Sequence, residues 1–168
     1  MCIRDRASAT PLAALKEGAT TAPALYDMFI GNIGGSMGET SVLALLIGGV
    51  YLMIRKVISV RIPLAYLGTV ALITLLTGKP EMILFELFAG GLMLGAFFMA
   101  TDYVSSPSSP KAQIVFGIGC GVITMVVRLW GGYPEGVSFS ILFMNLLTPL
   151  LDKALRPKVF GEVQKVNE

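Results

Sequence analysis

Two carboxylates stand where a carboxylate is expensive. Glu86 falls about one turn into a long apolar run that begins at Met82, and Asp102 closes the same run in the string ATDY. Hydrocarbon selects against an ionisable group at such depth unless it has a task or a partner, so both residues are ion-relay candidates. Each also has a structural reading. A carboxylate near a helix N-terminus is favoured by the helix dipole, and Asp readily bonds the amides of a turn. A third place is Glu39, Thr40 and Ser41, which follow the Gly-rich GNIGGSMG. Free amides at a helix start suit an anion such as a phosphate-bearing ligand; a plain helix cap explains the same residues, and both readings stand.

The residue inventory removes other chemistries. Histidine is absent and the only cysteines are Cys2 and Cys120. The chain alone therefore cannot assemble a four-cysteine cluster or a mixed histidine and cysteine zinc site. Redox chemistry would have to come from an organic cofactor or from partner chains. Cys120 sits inside an apolar run and reads as a structural thiol. A net charge of +2 with scattered cations leaves no footprint for nucleic acid.

The elements that must position these residues are read from hydropathy. Of 168 residues 54% are hydrophobic and 14% charged, with a mean hydropathy of +0.74, whereas a soluble domain carries about a quarter of its residues as charges. Five apolar runs follow one another: Thr40 to Ile54, Ile62 to Thr77, Met82 to Thr101, Ala112 to Trp130 and Val137 to Leu151. Several fall short of the ~20 residues that cross a bilayer unaided, and lean on their flanks or on local thinning. The third is the most secure as a single span. An all-α polytopic membrane protein with five transmembrane helices is the expected fold. Its divisions are 1–6, a foreign start; 7–38, an outer segment with the Gly-rich loop; 39–156, the five-helix membrane domain; and 157–168, a tail.

Pro, Gly or charge fills each linker, as in TGKPE, SSPSSPK and GGYPEG. Arg55, Lys56, Arg61, Lys111, Lys153, Arg156, Lys158 and Lys165 share one side of this serpentine. Lys and Arg mark the cytoplasmic side, so the tail faces inward and the first segment outward. Gly91 with Gly95, and Gly117 with Gly121, have the spacing that lets helix backbones approach closely. Pro149 is expected to kink the last helix after Thr148. Arg128 and Trp130 read as anchors at the membrane interface.

The first six residues, MCIRDR, look neither like a helix start nor like a targeting signal, which needs an apolar stretch of at least ~7 residues. They match the translation of ATG TGT ATA AGA GAC AG, the end of a sequencing-library adapter. The reading frame is then expected to extend further upstream in the native protein.

The strings YDMFIGNIGGSMGETS, FFMATDYVSSP and RLWGGYPEGVSFSILFMNLLTPLLDKALRPKVFGE resemble the D-subunit family of Rnf electron-transport complexes, which is related to the B-subunit of the sodium-pumping NADH:quinone reductase. The resemblance extends from Ser8 to Glu162. It implies a multi-pass subunit of the bacterial inner membrane, in a complex that passes electrons between ferredoxin and NAD and moves Na+ or H+. It further implies flavin mononucleotide (FMN) bound covalently, its phosphate esterified to the last Thr of a short motif that falls here on Ala7, Ser8, Ala9 and Thr10. Thr10 would be the attachment residue, with Ser8 and Ala9 beside it. Ala7 stands where the family has Ser or Thr, and MCIRDR replaces the upstream Asp. A second flavin or riboflavin nearby is compatible with the family.

The implied partners are the other membrane and peripheral subunits, the lipid bilayer and the flavin transferase that matures the protein. The implied fold is the second of two inverted repeats of a urea-channel-like architecture. With no nicotinamide or iron–sulfur site of its own, the chain is not catalytic alone. Three rivals are a facilitative channel or transporter of that architecture, the B-subunit of the sodium-pumping reductase, and a scaffold subunit with a vestigial flavin site.

Overall fold

The computed structural model describes residues 25–31, 41–78, 82–89, 91–131 and 136–155. Met1 to Arg6, the motif with Ser8, Ala9 and Thr10, residues Glu39 and Thr40, the KPE of TGKPE, the middle of GGYPEG, and the tail from Arg156 lie outside them. Among the described residues every regular element is a helix. In chain order these are α1 (Leu25–Ile30), α2 (Val42–Ile54), α3 (Arg61–Leu76), α4 (Ile83–Phe88), α5 (Leu92–Leu94), a π-helical segment (Gly95–Met99), α6 (Pro110–Trp130) and α7 (Val137–Ala154).

Local chemistry sets the ends. Ser41 adopts extended backbone, and its hydroxyl accepts from the Ala44 amide at 3.3 Å. This satisfies one of the amides a helix start leaves open, so the cap reading of Ser41 is realised. Pro110 occupies the first turn of α6, where its missing N–H costs nothing. Gly136, at φ +65, turns the chain into α7. That helix continues through Pro149 to Ala154.

Close approach of α6 to α3 is written in two glycines. A Cβ on Gly117 would stand 2.7 Å from the Ala65 Cβ and 2.9 Å from the Ile62 carbonyl oxygen; one on Gly121 would stand 2.7 Å from the Thr69 Cβ. Backbone-to-backbone contact is how helices associate where no hydrophobic effect drives them together. The main core gathers Ile62, Tyr66 and Val70 of α3, Leu92 and Ala96 of the third run, Phe116 and Cys120 of α6, and Ile141 and Met144 of α7. On the outer side of the third run, α2 contributes Val42 to Met93 and Phe97, and α1 sets Met28 against Phe85 and Ala89.

Large apolar side chains face outward as well as inward. Ile47, Leu64, Leu142 and Leu146 are exposed, Leu146 to 77%, while Thr74, Thr124, Arg128 and Ser140 are buried. An apolar exterior this extensive needs lipid or partner surface to cover it. α6, with 21 residues, and α7, with 18, are long and apolar enough to cross a membrane. α2 and α3 are apolar but shorter, at 13 and 16 residues.

The third run departs from expectation. It is not one continuous helix: α4 stops at Ala89, whose backbone is extended (φ −81, ψ 139), and the described chain resumes as one short turn followed by π geometry closed by Ala100 N–H to Gly95 O at 2.7 Å. Hydropathy does not register the break because the residues on both sides of it are equally apolar. In the sequence Ala89 is followed by two glycines, the residue type that loses most conformational freedom when held in a helix.

Candidate functional site

The break in the third run is held by a charge from α6. Phe116, Cys120, Thr124 and Arg128 recur every fourth residue and are all buried, so they form one inward-facing column. At the column's end the Arg128 guanidinium donates from Nη1 to Glu86 Oε2 at 2.7 Å and to the Glu86 carbonyl at 2.7 Å. Nη2 donates to the Ala89 carbonyl at 3.1 Å. The Arg128 side chain is 3% exposed and the Glu86 side chain 20%.

Arg128 is therefore no interface anchor. An arginine in hydrocarbon costs about 2.5–3.5 kcal/mol by insertion scales. Two carbonyls at a broken helix end and one carboxylate satisfy it inside, which outweighs reaching for water. Trp130, two residues on, is 81% exposed. Sequence reasoning placed Glu86 and Arg128 separately and missed their union. The one signal available was that opposite charges in two apolar runs must find each other or water.

One turn before Arg128 lies a knot of hydroxyls that sequence reasoning did not single out. Tyr66 OH stands 2.6 Å from Thr124 Oγ1 and 3.1 Å from Ser140 Oγ. Thr124 lies 2.8 Å from Ser140 Oγ and from the Cys120 carbonyl, and Ser140 donates to the Val137 carbonyl at 2.7 Å. Each hydroxyl has one proton to give, and the carbonyl acceptors let all three be satisfied at once. The knot ties α3, α6 and α7 together in the core.

Asp102 takes no part in either cluster. It is exposed, accepts from the Ser105 hydroxyl at 3.2 Å, and its carbonyl accepts the Ser106 amide at 3.0 Å, which is turn geometry. The other ion-relay candidate, Glu86, meets Arg128 instead. A further carboxylate, unremarked in the sequence, acts at the far end of α6. Asp152 of α7 accepts the amides of Ser108 and Ser109 at 3.1 and 3.4 Å, and the Ser109 hydroxyl donates to the Leu155 carbonyl at 2.9 Å. Each helix thus completes the open end of the other.

The sequence pattern of the NQR2, RnfD, RnfE family matches residues 4–161. The chain belongs to this family. Among relatives, the D-subunit of the Na(+)-translocating ferredoxin:NAD(+) oxidoreductase complex of Acetobacterium woodii is 53% identical over 157 residues, covering 92% of this chain and 49% of the relative. The D-subunit of the proton-translocating ferredoxin:NAD(+) oxidoreductase complex of Clostridium ljungdahlii is 49% identical, covering 82% and 44%. The D-subunit of the ion-translocating oxidoreductase complex of Stutzerimonas stutzeri is 46% identical, covering 82% and 40%. The chain spans about half the length of the curated relatives it matches. The resemblance noted in YDMFIGNIGGSMGETS and its companion strings is thereby confirmed at the level of the NQR2, RnfD, RnfE family.

Proposed function

We propose that this chain forms the membrane-embedded part of the D-subunit in an ion-translocating ferredoxin:NAD oxidoreductase. The observation that carries the reading is its 53% identity, over 92% of its length, to a D-subunit so named. The interior is consistent with a subunit that handles ions, since one apolar run holds a broken helix, the kind of element on which membrane transporters build ion sites, and a carboxylate stands within it.

In this reading Thr10, flanked by Ser8 and Ala9, would hold FMN through its side-chain oxygen on the outer side. The flavin supplies electron transfer when bound. The protein supplies orientation and electrostatics. The five apolar runs are taken as five crossings, the third of them broken, making one of two inverted repeats in the inner membrane with the tail in the cytoplasm. Glu86 is the ion-relay residue and Asp102 the turn that follows it. A flavin transferase and the other subunits of the complex are the partners. A facilitative channel is less well supported, because Tyr66, Phe116 and Met125 fill the interior among α3, α6 and α7.

Two measurements test the reading. Full-length protein expressed with a flavin transferase is denatured and its in-gel flavin fluorescence recorded: a signal lost in Thr10→Ala supports it, and no signal in the unsubstituted protein overturns the flavin assignment. In the intact complex Glu86→Gln is expected to slow ion uptake more than ferredoxin oxidation; equal loss of both leaves Glu86 a purely structural role.

A further inference from the structure

Among the described residues, Asn145 of α7 holds the one buried side-chain polar atom that nothing satisfies: its Oδ1 is shut off from solvent and has no hydrogen-bond partner. Such an oxygen is costly, because it has given up water and received nothing in return. The nearby hydroxyls of α7 are already committed. Ser140 donates to the Val137 carbonyl at 2.7 Å, and Thr148 to the Ser105 carbonyl at 3.0 Å.

Asn145 lies on a seam. Ser138, Leu142, Asn145 and Pro149 recur along α7 at spacings of four, three and four, which places them on one face of the helix. Ser138, Leu142 and Pro149 are exposed and Asn145 is half-buried; Leu142 is open to 75%. Alternation of three and four is the spacing of a stripe that packs against another helix. A small hydroxyl residue and an amide are the side chains through which membrane helices associate. Lipid cannot take that place, since acyl chains donate no hydrogen bond to an amide oxygen.

Resting on the membrane-embedded reading above, we propose that this face of α7 docks a transmembrane helix from the part of the full-length protein that lies outside this chain, and that a side-chain donor on that helix reaches Asn145. Length argues for that source. This chain covers 49% of the D-subunit relative to which it is 53% identical, so a full-length protein of that size brings a comparable length of polypeptide to the same membrane. A helix tethered on the same polypeptide meets α7 at the millimolar effective concentration of an intramolecular encounter. That favours it over a second copy or a separate subunit. Rotation about the last side-chain bond exchanges the two ends of the amide, so the oxygen that is buried here turns to the face when a donor arrives.

The sign of one substitution tests the hydrogen bond. Asn145→Leu is made in the full-length protein and its melting is followed in detergent. With a donor on the docked helix, the substitution strands that donor, and the melting temperature is expected to fall by roughly 1–4 °C. An amide that faces lipid would respond in the opposite sense, because leucine is the better residue in hydrocarbon; a rise, or no change, overturns the inference. A photoreactive benzoylphenylalanine placed at Leu142 identifies the source of the helix. Illuminated in native membranes, it is expected to join α7 to an apolar segment of the same polypeptide outside this chain, without raising the apparent mass on a denaturing gel. Adducts to lipid alone, to a second copy or to another subunit overturn the inference. This arm leaves Asn145 unchanged, so it decides the matter even if Asn145→Leu fails to accumulate. Full-length protein that alkaline carbonate strips from the membrane would instead remove the membrane-embedded reading on which the inference rests.

Discussion

Asp152 and Ser109, 43 residues apart, cap each other's helices: the Asp152 carboxylate accepts the Ser109 amide at the start of α6, and the Ser109 hydroxyl donates to the Leu155 carbonyl that follows α7. A cap supplied from a neighbouring helix closes both ends of a hairpin with one pair of residues. Asp152→Ala removes the acceptor for the Ser108 and Ser109 amides, and is expected to destabilise the protein by about 1 kcal/mol, the usual cost of a lost cap. Thermal unfolding of the detergent-purified protein measures this. Asp152→Asn should recover part of the loss, because its carbonyl oxygen still accepts; a melting point equal to that of Asp152→Ala would count against the capping role.

Gly117 and Gly121 of α6 are expected to be far less forgiving than Gly68 on α3. A Cβ on Gly117 collides with the Ile62 backbone, whereas one on Gly68 has nothing within 4 Å. Gly117→Val should therefore abolish stable insertion, since backbone cannot yield as a side-chain tip can. Gly68→Ala should stabilise the protein by roughly 0.5–1 kcal/mol through helix propensity. Yield of folded protein after membrane extraction, followed by melting, separates the two.

Tyr66→Phe keeps the ring and deletes one hydroxyl from the buried knot. Thr124 and Ser140 retain the Cys120 and Val137 carbonyls as acceptors, so no proton donor is orphaned. The expected loss is small, about 0.6 kcal/mol and at most about 1.7, the range for hydrogen bonds between membrane helices. A loss several times larger would mean that the hydroxyl has a partner beyond Thr124 and Ser140.

Arg128→Met alone strands the Glu86 carboxylate, and is expected to cost about 3–5 kcal/mol. Arg128→Met with Glu86→Leu removes both charges and should recover most of that stability, as apolar replacement of a whole buried pair commonly does. Melting of the single and double variants measures the coupling. In the functional reading the double variant folds yet moves no ions, which separates the architecture of the pair from its use.

Legibility in the sequence followed the range of the interaction. Gly117, Gly121 and the long α6 are local patterns, and spacing alone was enough to read them, whereas at Ser41 the sequence left a cap and an anion site equally open. The family was carried by strings such as GYPEGVSFSILFMN, which depend on order rather than geometry. The break at Ala89 escaped because a run of apolar residues has the same hydropathy whether or not its helix is continuous. Arg128 was misplaced because a cation two residues from a tryptophan at a helix end has the composition of an interface anchor, and its partner stands 42 residues away. Asp152 went unremarked for the same reason. Thr10, Ser8 and Ala9 lie outside the described residues, so the flavin site rests on the family alone.

The pairing of Glu86 with Arg128 also has a direction in time. Chains emerge from the ribosome N-terminal end first, so Glu86 is made 42 residues ahead of its counterion. Until α6 arrives, the carboxylate lacks the guanidinium that holds it in the finished structure. Arrival of α6 delivers the guanidinium and closes the break in a single event. The order of synthesis therefore makes the last turn of α6 the latch of membrane assembly, and a chain interrupted before Arg128 leaves the translation machinery with its third run unfastened.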